Sequence, residues 1–455
     1  MLTLGVAVFV LFICSTLRYP PYPGSTNIPT ASEDFGETVN ASLLHAQPIC
    51  PTPPPTPNPY DPALFLRGPP TPHFRDNLRP EVQYITTWIS GGFTNDVMSI
   101  ANLIYVAIQS DRIPIVPDFS GYRFISFGEV FDIPQLSAAL RIPILEWNQV
   151  KDYRGETRES DSLGCWSVWA PYGGSPRGNF FTAKSRASID CSYTSIKEPV
   201  KLLDMKNHDE PHISLNKLAK LGDREVYDQV MQTHKPESFP PWHPGVLPPD
   251  FQLMCIDFLY WAATVEPYEW NTNFSPGWKI ARHFKWSPKL RTLGQEYLRR
   301  LLAVPPTGAI PAFITVHARR NDFNSACNGV PLEGCFASLD TYEVRVREIQ
   351  TELEALPELA GQGPFKIVVT SDESDPEWWQ KVRERGWLAI DHSPAGEDTE
   401  SKYSALVDIA IASMGKGFVG TDQSTMSLLS RRRVEEWNGG VTRMVKWGHA
   451  GADDH

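Results

Sequence analysis

The sequence of 455 residues has no excess of basic side chains. Lysine and arginine together number 42, against 53 aspartates and glutamates, which gives a formal net charge of −11 and a pI near 5.5. Proteins that bind nucleic acid normally carry a basic surface, so this balance argues against nucleic acid as a partner. It still permits a local basic pocket that binds a phosphate group.

Several short catalytic and metal-binding motifs are also missing. The sequence has no G-x-x-x-x-G-K-[ST] loop, no H-E-x-x-H pair and no G-x-S-x-G turn, which argues against P-loop, zincin and nucleophile-elbow enzymes. It has no C-x-x-C pair, so a zinc site of the cysteine type is not expected. D-x-D is absent as well, and no metal site is predicted.

The first 80 residues differ in composition from the rest. Leu2–Leu17 is one apolar run, which predicts a signal-anchor over residues 1–17, although Arg18 lies on the side that the positive-inside rule disfavours. Residues 18–80 hold 16 of the 41 prolines, a composition typical of an extended stem. We therefore expect a single-pass membrane protein of the Golgi or endoplasmic reticulum, with its folded part in the lumen.

Cysteine usage agrees with an oxidising compartment. Six of the seven cysteines lie beyond the apolar run, and an even number permits three disulfides with connectivity left open. Cys327 and Cys335 are the easiest pair to close, whereas Cys50 lies in the stem, where it could stay unpaired and leave one domain cysteine odd. The six are Cys50, Cys165, Cys191, Cys255, Cys327 and Cys335, and glycosylation sequons begin at Asn40 and Asn273.

Between residues 81 and 436, short β-like runs alternate with helical periods, as in α/β folds. This pattern predicts doubly wound parallel sheets, with a ligand site at the carboxyl ends of the strands. We assign residues 81–300 to an N-terminal domain, 301–436 to a C-terminal domain and 437–455 to a peripheral tail. Strands are predicted at 84–89, 113–117, 312–316, 365–369 and 417–420, and helices from Asn95 and at 341–355, 376–385 and 402–413.

Two adjacent arginines follow the strand predicted at 312–316. The segment His317-Ala-Arg319-Arg320-Asn-Asp322 places guanidinium groups at a strand end, where they can clasp a phosphate with paired hydrogen bonds. Asp322 is a candidate to hold one of them in place. A surface cluster of ion pairs is the alternative.

Polar side chains also follow the other two C-terminal strands. Thr421, Asp422, Ser424 and Thr425 stand where a strand turns into a helix, and free N–H groups there can bind an anion. An ordinary helix cap by Asp422 or Ser424 has the same local pattern. Asp372, which follows the strand predicted at 365–369, is a candidate to bind a ribose or a base, or it is part of an ordinary polar loop.

Three of these segments resemble one family. His317–Asp322 resembles the H-x-R-R-x-D motif of GDP-fucose-dependent fucosyltransferases, the protein O-fucosyltransferases and their α1,2/α1,6 relatives. Ser90–Asp96 resembles the N-terminal turn of that family, and Thr421–Ser427 resembles its T-D-x-S-T-x-S segment. The positions in register within the turn are Gly91, Gly92, Phe93 and Asn95.

The resemblance implies a GT-B fold, in which two Rossmann-like domains face each other across a cleft. It implies inverting transfer of L-fucose from GDP-fucose to a hydroxyl group, without a metal ion or other cofactor. A Ser or Thr of a protein is favoured over a glycan as the acceptor. Because D-x-D is absent, arginines would neutralise the diphosphate in place of a divalent cation.

The resemblance also implies roles for individual residues. Arg319 would bind the β-phosphate and stabilise GDP as it leaves, with Arg320 and Asp322 in support and His317 packed at the nucleotide. Asn95 would touch the diphosphate or the fucose from across the cleft. The other expected donor-binding residues are Gly91, Gly92, Phe93, Asp372, Thr421, Asp422, Ser424 and Thr425.

The turn departs from the family pattern at two positions. Asp96 occupies the place of the usual Gln, and Thr94 replaces a Gly. Asp96 is a candidate general base for the acceptor hydroxyl, and an acid in the first turn of a helix is the alternative. Some relatives carry a glutamate base in this turn, where Gly91 and Gly92 stand here. The changes at Gly91, Gly92 and Asp96 keep open a non-catalytic protein with this fold that binds a sugar or a protein. A transferase for another nucleotide sugar is a further alternative.

Overall fold

The computed structural model describes residues 58–454, except for 120–124, 156–158, 169–182, 185–186, 196–202, 205–211, 234, 236–245, 261, 265–275, 391 and 393–402. All of the described residues belong to one compact unit, Pro57–His455. The predicted anchor, Cys50 and both sequons lie outside the described residues. None of the described helices is both long and apolar enough to cross a membrane.

Parallel β-sheets form the centre of each half of the unit. One sheet has the strand order β3-β2-β1-β8-β4-β5 and the other has the order β12-β11-β10-β13-β14, while β6, β7 and β9 form a small third sheet. The strands are β1 Tyr84–Thr87, β2 Ile113–Val116, β3 Leu145–Glu146, β4 Asp161–Ser167, β5 Ile189–Ser195, β6 Leu203–Asp204, β7 His212–Ser214, β8 Leu253–Ile256, β9 Ala262–Ala263, β10 Phe313–Ala318, β11 Lys366–Ser371, β12 Leu388–Ala389, β13 Gly417–Thr421 and β14 Val441–Val445.

Helices connect and cover these strands. The described α-helices are α1 Phe74–Asn77, α2 Phe93–Gln109, α3 Phe127–Val130, α4 Ile133–Leu140, α5 Trp147–Val150, α6 Leu215–Lys220, α7 Arg224–Thr233, α8 Pro276–Ala281, α9 Pro288–Leu301, α10 Leu332–Cys335, α11 Leu339–Glu354, α12 Pro376–Glu384, α13 Ser404–Ala412 and α14 Thr425–Asn438. Short 3-10 helices occupy Pro62–Leu64, Asn321–Cys327 and Pro357–Leu359.

The architecture confirms the expected α/β class with parallel sheets. Strand β10 pairs in parallel with β11 on one side and with β13 on the other. Parallel pairing brings the carboxyl ends of these three strands to one edge, where His317 lies beside Thr370 and Gly420. That edge is where open α/β sheets bind their ligands.

Helix α2 follows β1 in the N-terminal half and packs against elements of both halves. It begins at Phe93, two residues before the predicted start, and Gly92 is its N-cap. Because α2 packs against β1 and β2 on one side and against α14 on another, nearly all of its side chains are buried. Its first turn is therefore held opposite the second sheet.

Two predicted boundaries need correction. The stem was expected to reach residue 80, but Leu66, Phe74 and Leu78 are buried in the core of the N-terminal half. The tail from residue 437 was expected to be peripheral, but β14 forms the edge of the second sheet and Asp453 forms a buried ion pair with Arg345 at 2.8 Å. Proline content and polarity did not reveal the apolar residues that anchor both segments.

The described cysteines form two disulfides. Cys327 pairs with Cys335 as expected, and Cys165 of β4 pairs with Cys255 of β8. Cys191 is buried and unpaired, with its sulfur within 4.8 Å of both sulfurs of the second bridge. Since two of these three sulfurs share a disulfide bond, the group is not a set of thiolates that could hold a metal ion.

Candidate functional site

A cleft of about 480 Å³ lies where the first turn of α2 faces the carboxyl ends of β10 and β11 and the start of α14. Residues from both halves of the unit form its walls. They are Gly92, Phe93, Thr94, Asn95, Tyr260, His317, Arg319, Asp322, Phe323, Thr370, Ser371, Asp372, Ala405, Asp408, Ile409, Gln423, Ser424, Thr425 and Met426.

Arg319 is the cation among the described residues that line this cleft. Its guanidinium lies 2.6 Å from Asp322 and 3.3 Å from Asp372, and its side chain is 30% exposed. The Asp322 side chain is 63% exposed, so the stronger of these two contacts is largely solvated. An anion in the cleft can therefore take donors of Arg319 away from Asp322 at small cost.

Arg320 faces away from the cleft. It forms an ion pair of 2.6 Å with Glu373, and its guanidinium carbon lies 4.7 Å from the centre of the Phe336 ring. Its backbone N–H donates to Asp372 at 2.8 Å. Arg320 and Asp372 thus fix the backbone that carries Arg319. From their spacing both arginines were candidates for the phosphate, whereas the resemblance implied a supporting role for Arg320.

His317 lines the cleft as a neutral side chain. Its Nδ1 atom lies 2.7 Å from the Ser427 hydroxyl. Burial, with a further contribution from the charge of Arg319, lowers the pKa of His317 to about 3. The imidazole is therefore uncharged at neutral pH, and its Nε2 atom has no protein partner among the described residues.

Thr421 is buried at the end of β13, and its hydroxyl is hydrogen-bonded to the end of β10. Its hydroxyl accepts the N–H of Arg319 at 2.8 Å, donates to the carbonyl of His317 at 3.0 Å and lies 2.7 Å from the Tyr342 hydroxyl. Thr421 does not line the cleft. Its role is to position the backbone of the arginine, and not to contact a ligand as the motif suggested.

The start of α14 forms an anion seat beside Arg319. Ser424 is the N-cap, and its hydroxyl accepts the N–H of Ser427 at 3.3 Å. The N–H groups of Thr425 and Met426 have no intrahelical acceptor, because they belong to the first turn. Together with the helix dipole they favour a phosphate at this end of the cleft.

Asp422 neither caps α14 nor lines the cleft, which were the two expectations for it. Ser424 caps the helix, and Asp422 lines an adjoining cavity. The adjoining cavity and the cleft share Tyr260, Gln423 and the first residues of the helix.

The first turn of α2 brings Asn95 to the anion seat. The side-chain carbonyl of Asn95 accepts from the Thr425 hydroxyl at 2.8 Å. The Thr94 hydroxyl lies 2.8 Å from the same Thr425 hydroxyl. The N-terminal turn and the C-terminal helix, predicted separately, are therefore in direct contact. This contact closes the cleft on one side.

Asp96 does not line the cleft. Its side chain is fully buried, and its Oδ1 atom accepts the N–H of Gly91 at 3.0 Å. A Cβ atom on Gly91 would lie 2.8 Å from Cβ of Asn95, so the turn requires a glycine there. The geometry fits the alternative, an acid in the first helical turn, and not the general base.

Sequence reasoning missed a carboxylate on the opposite wall. Asp408 of α13 lies 2.7 Å from Nε2 of His392, and its side chain is 21% exposed. Burial raises the pKa of Asp408, while the hydrogen bond from His392 opposes that shift. The available signal was one acid within an otherwise apolar helix, Ser-Ala-Leu-Val-Asp-Ile-Ala-Ile-Ala, a pattern that indicates a role for the carboxylate.

The cleft therefore combines two different environments. Arg319 and the start of α14 favour an anion, whereas Asp408, Ala405 and Ile409 give the wall a carboxylate and apolar surface. A molecule with a phosphate group and a flat, hydrogen-bonding ring matches both sets of residues. The volume is within the range of small-molecule sites.

No protein-family model matches the sequence, and no curated protein sequence matches it. Solved structures are similar to it. POFUT1 in complex with GDP-fucose is 14% identical, with a TM-score of 0.49, over 82% of this chain and 99% of that one. The fucosyltransferase NodZ from Bradyrhizobium is 12% identical, with a TM-score of 0.39, over 82% and 97%.

A structure of NodZ α-1,6-fucosyltransferase co-crystallised with GDP has a TM-score of 0.38 at 12% identity, over 77% of this chain and 92% of that one. These three solved structures are similar to this chain at low sequence identity. With TM-scores below 0.5 they assign no residue, so the chemistry of the cleft is derived from the side chains that line it.

Proposed function

We propose that this protein is a glycosyltransferase of the GT-B type that uses GDP-fucose as its donor. The observation that carries the proposal is the joint position of Arg319 and the open start of α14 at the ends of β10 and β13, opposite Asn95. A diphosphate bound there would meet a guanidinium, free N–H groups and a helix dipole. These are the groups that stabilise negative charge on a departing nucleotide.

The reaction proposed is transfer with inversion. The oxygen of an acceptor hydroxyl attacks C1 of fucose, and the bond between C1 and the β-phosphate oxygen breaks. The electron pair leaves with GDP, whose added charge Arg319 and the N–H groups of Thr425 and Met426 stabilise. The hydroxyl proton passes to a base, and the burial of Asp96 argues that this carboxylate is not the base.

The nucleobase is proposed to lie at the Asp408 end of the cleft. A carboxylate can accept both the N1–H and the exocyclic N–H of guanine, which uracil cannot supply. His392 Nε2 lies 2.7 Å from the carboxylate, and Ile409 offers an apolar surface to the flat ring. Asp372, the residue expected to read the base, is engaged by Arg319 and Arg320.

We propose a Ser or Thr of a protein as the acceptor, with a glycan as the alternative. We also propose that the enzyme is anchored in the Golgi or endoplasmic reticulum membrane with its folded part in the lumen. The two disulfides support an oxidising compartment. Imaging of the tagged full-length chain tests the location, and cytosolic staining would refute it.

The activity is tested with the purified protein and a panel of GDP-fucose, GDP-mannose and UDP-sugars, measured as donor hydrolysis or transfer. We expect turnover with GDP-fucose alone. Arg319→Ala is expected to lower kcat about 100- to 1,000-fold, since it removes one donor to the developing charge. Arg347→Ala is the matched control, because Arg347 is 70% exposed and lies outside the cleft.

Equal activity of Arg319→Ala and the wild type would refute the assignment of the phosphate site. A second candidate is a non-catalytic protein that binds GDP-fucose, favoured by the burial of the Asp96 carboxylate in the first turn of α2. Calorimetry separates the two functions: GDP binding without turnover on any acceptor favours the second candidate.

A further inference from the structure

A second cavity lies at the opposite ends of the strands that carry the cleft. We call it the rear cavity, and its volume is about 600 Å³. Phe313, the first residue of β10, and Lys416, which precedes β13, lie in its wall. The remaining lining residues are Gln135, Lys285, Trp286, Arg291, Gln295, Leu298, Ile310, Pro311, Ala312, Ser413, Met414, Gly415, Trp437 and Asn438.

The charge of the rear cavity is opposite to that of the whole chain. Lys285, Arg291 and Lys416 line it, and no aspartate or glutamate is among its described lining residues. The protein as a whole carries a net charge of −11. A concave surface that concentrates positive charge in an acidic protein attracts anions locally.

Two of these cations are available to a ligand. Within the described part of the chain, neither Lys285 nor Arg291 has a carboxylate within ion-pair distance. The Nζ atom of Lys285 lies 4.0 Å from the centre of the Trp437 ring, and the Arg291 side chain is exposed on α9. Lys416 is already engaged, since it donates to the Asn438 carbonyl at 2.8 Å.

A further positive charge lies behind the aromatic wall. Arg433 is fully buried, and its three guanidinium nitrogens have no hydrogen-bond acceptor among the described residues. Its guanidinium carbon lies 4.3 Å from the centre of the Trp286 ring and 5.4 Å from that of Trp437. Both rings line the rear cavity, so the field of Arg433 adds to that of Lys285.

Cation–π contact compensates only part of the cost of burying such a charge. Burial lowers the pKa of Arg433 to about 9, which leaves the group charged at neutral pH. Burial also lowers the pKa of Lys285 to about 8; the charge of Glu436 opposes this shift, and the charges of Arg433 and Arg282 add to it. A bound anion would stabilise both charges.

The other lining residues indicate the rest of the ligand. Gln135 and Gln295 carry amide groups with no polar side-chain partner among the described residues, and an amide both donates and accepts, as adjacent sugar hydroxyls require. Ile310, Pro311 and Trp437 are at least partly exposed and add apolar surface of the kind that contacts the C–H face of a sugar ring. We propose that the rear cavity binds an anionic saccharide, a sugar that carries a carboxylate or sulfate group, separately from the donor cleft.

The proposal is tested by calorimetry on the intact protein at low salt with three probes. They are a sulfated chondroitin disaccharide, inorganic sulfate as the charge control and cellobiose as the neutral control. We expect the disaccharide to bind at least about tenfold more tightly than sulfate, and cellobiose not to bind. Equal affinity for sulfate and the disaccharide, or no binding of the disaccharide, would overturn it.

Two substitutions on one helix locate the site. Arg291→Gln removes a lining cation and is expected to weaken disaccharide binding at least about tenfold. Arg300→Gln makes the same change of charge on α9 outside the rear cavity, and is expected to leave binding unchanged. Circular dichroism establishes that both variants are folded, and unchanged binding by Arg291→Gln would refute the location.

Discussion

Asp408 is the residue whose side chain would decide which nucleotide enters the cleft. Asp408→Asn keeps the size of the side chain but replaces an acceptor oxygen with a donor group, which would oppose an N–H of guanine. We expect GDP binding to weaken by about 1.5–3 kcal/mol, or roughly 10- to 150-fold in Kd. Calorimetry with GDP measures the change, and UDP binding should be much less affected.

The matched control for this substitution is Asp228→Asn. Asp228 is an aspartate of α7 with a half-exposed side chain, and it does not line the cleft. An Asp408→Asn variant that binds GDP as tightly as the control would show that the base does not contact this carboxylate. Loss of GDP and UDP binding to the same extent would instead indicate damage to the cleft itself.

Several residue roles followed from the sequence because they depend on side-chain chemistry at a strand end. Arg319, Asn95 and Ser424 all line the cleft. The orientation of Arg320 and Thr421 did not follow, because both belong to the same motifs as the cleft residues but neither lines the cleft. A motif specifies which side chains are present. The direction in which each one points depends on its neighbours, such as Glu373 beside Arg320 and Tyr342 beside Thr421.

Among the elements, strand β4 contains Gly164, a glycine that has no room for a Cβ atom. The loop before β8 crosses it at Gly164, where a Cβ atom would lie 1.8 Å from the carbonyl oxygen of Pro248. Because that neighbour is backbone, Gly164→Ala must displace the loop. We expect the free energy of unfolding to fall by about 3 kcal/mol or more, as measured by chemical denaturation.

Gly68→Ala provides the comparison for that measurement. Nothing lies within 4 Å of the position that a Cβ atom on Gly68 would take, so a change within about 0.5 kcal/mol is expected. Similar losses in the two variants would mean that the close approach at Gly164 does not exist in solution.

The long elements could be predicted and the shortest could not. The buried runs that became β10, β11 and β13 were recognised because strands covered on both faces are continuously apolar. Leu388–Ala389 of β12 is two residues long and has no pattern of its own, so only its pairing with β11 defines it as a strand. Strand β14 was not predicted either, because it follows a glycine pair in a segment of mixed polarity that has no clear strand pattern.

At the scale of the whole molecule, one buried histidine links stability to pH. The pKa of His317 falls to about 3 in the folded protein, below its ordinary value of 6.5. The unfolded chain therefore takes up a proton first as the pH falls, and stability that is complete above about 6.5 is lost towards pH 3. At pH 5 the expected loss is about 2 kcal/mol.

Thermal melts of the wild type and His317→Asn between pH 7 and pH 5 measure this contribution. Asparagine keeps a hydrogen-bonding group for Ser427 but does not titrate, so its melting temperature should fall less over this range. If both proteins lose stability in parallel, the acid sensitivity comes from other groups and His317 is not buried as described.

By itself, the sequence determined the α/β class, the two parallel sheets and the strand end that carries Arg319. These features depend on local patterns of apolar and polar residues, which a linear reading detects. Only the tertiary structure decided which groups meet, because contacts such as that between Asn95 and Thr425 join residues 330 positions apart. The burial of Asp96, the place of Asp408 and the rear cavity likewise arise from packing between distant segments, and no local pattern specifies how those segments pack.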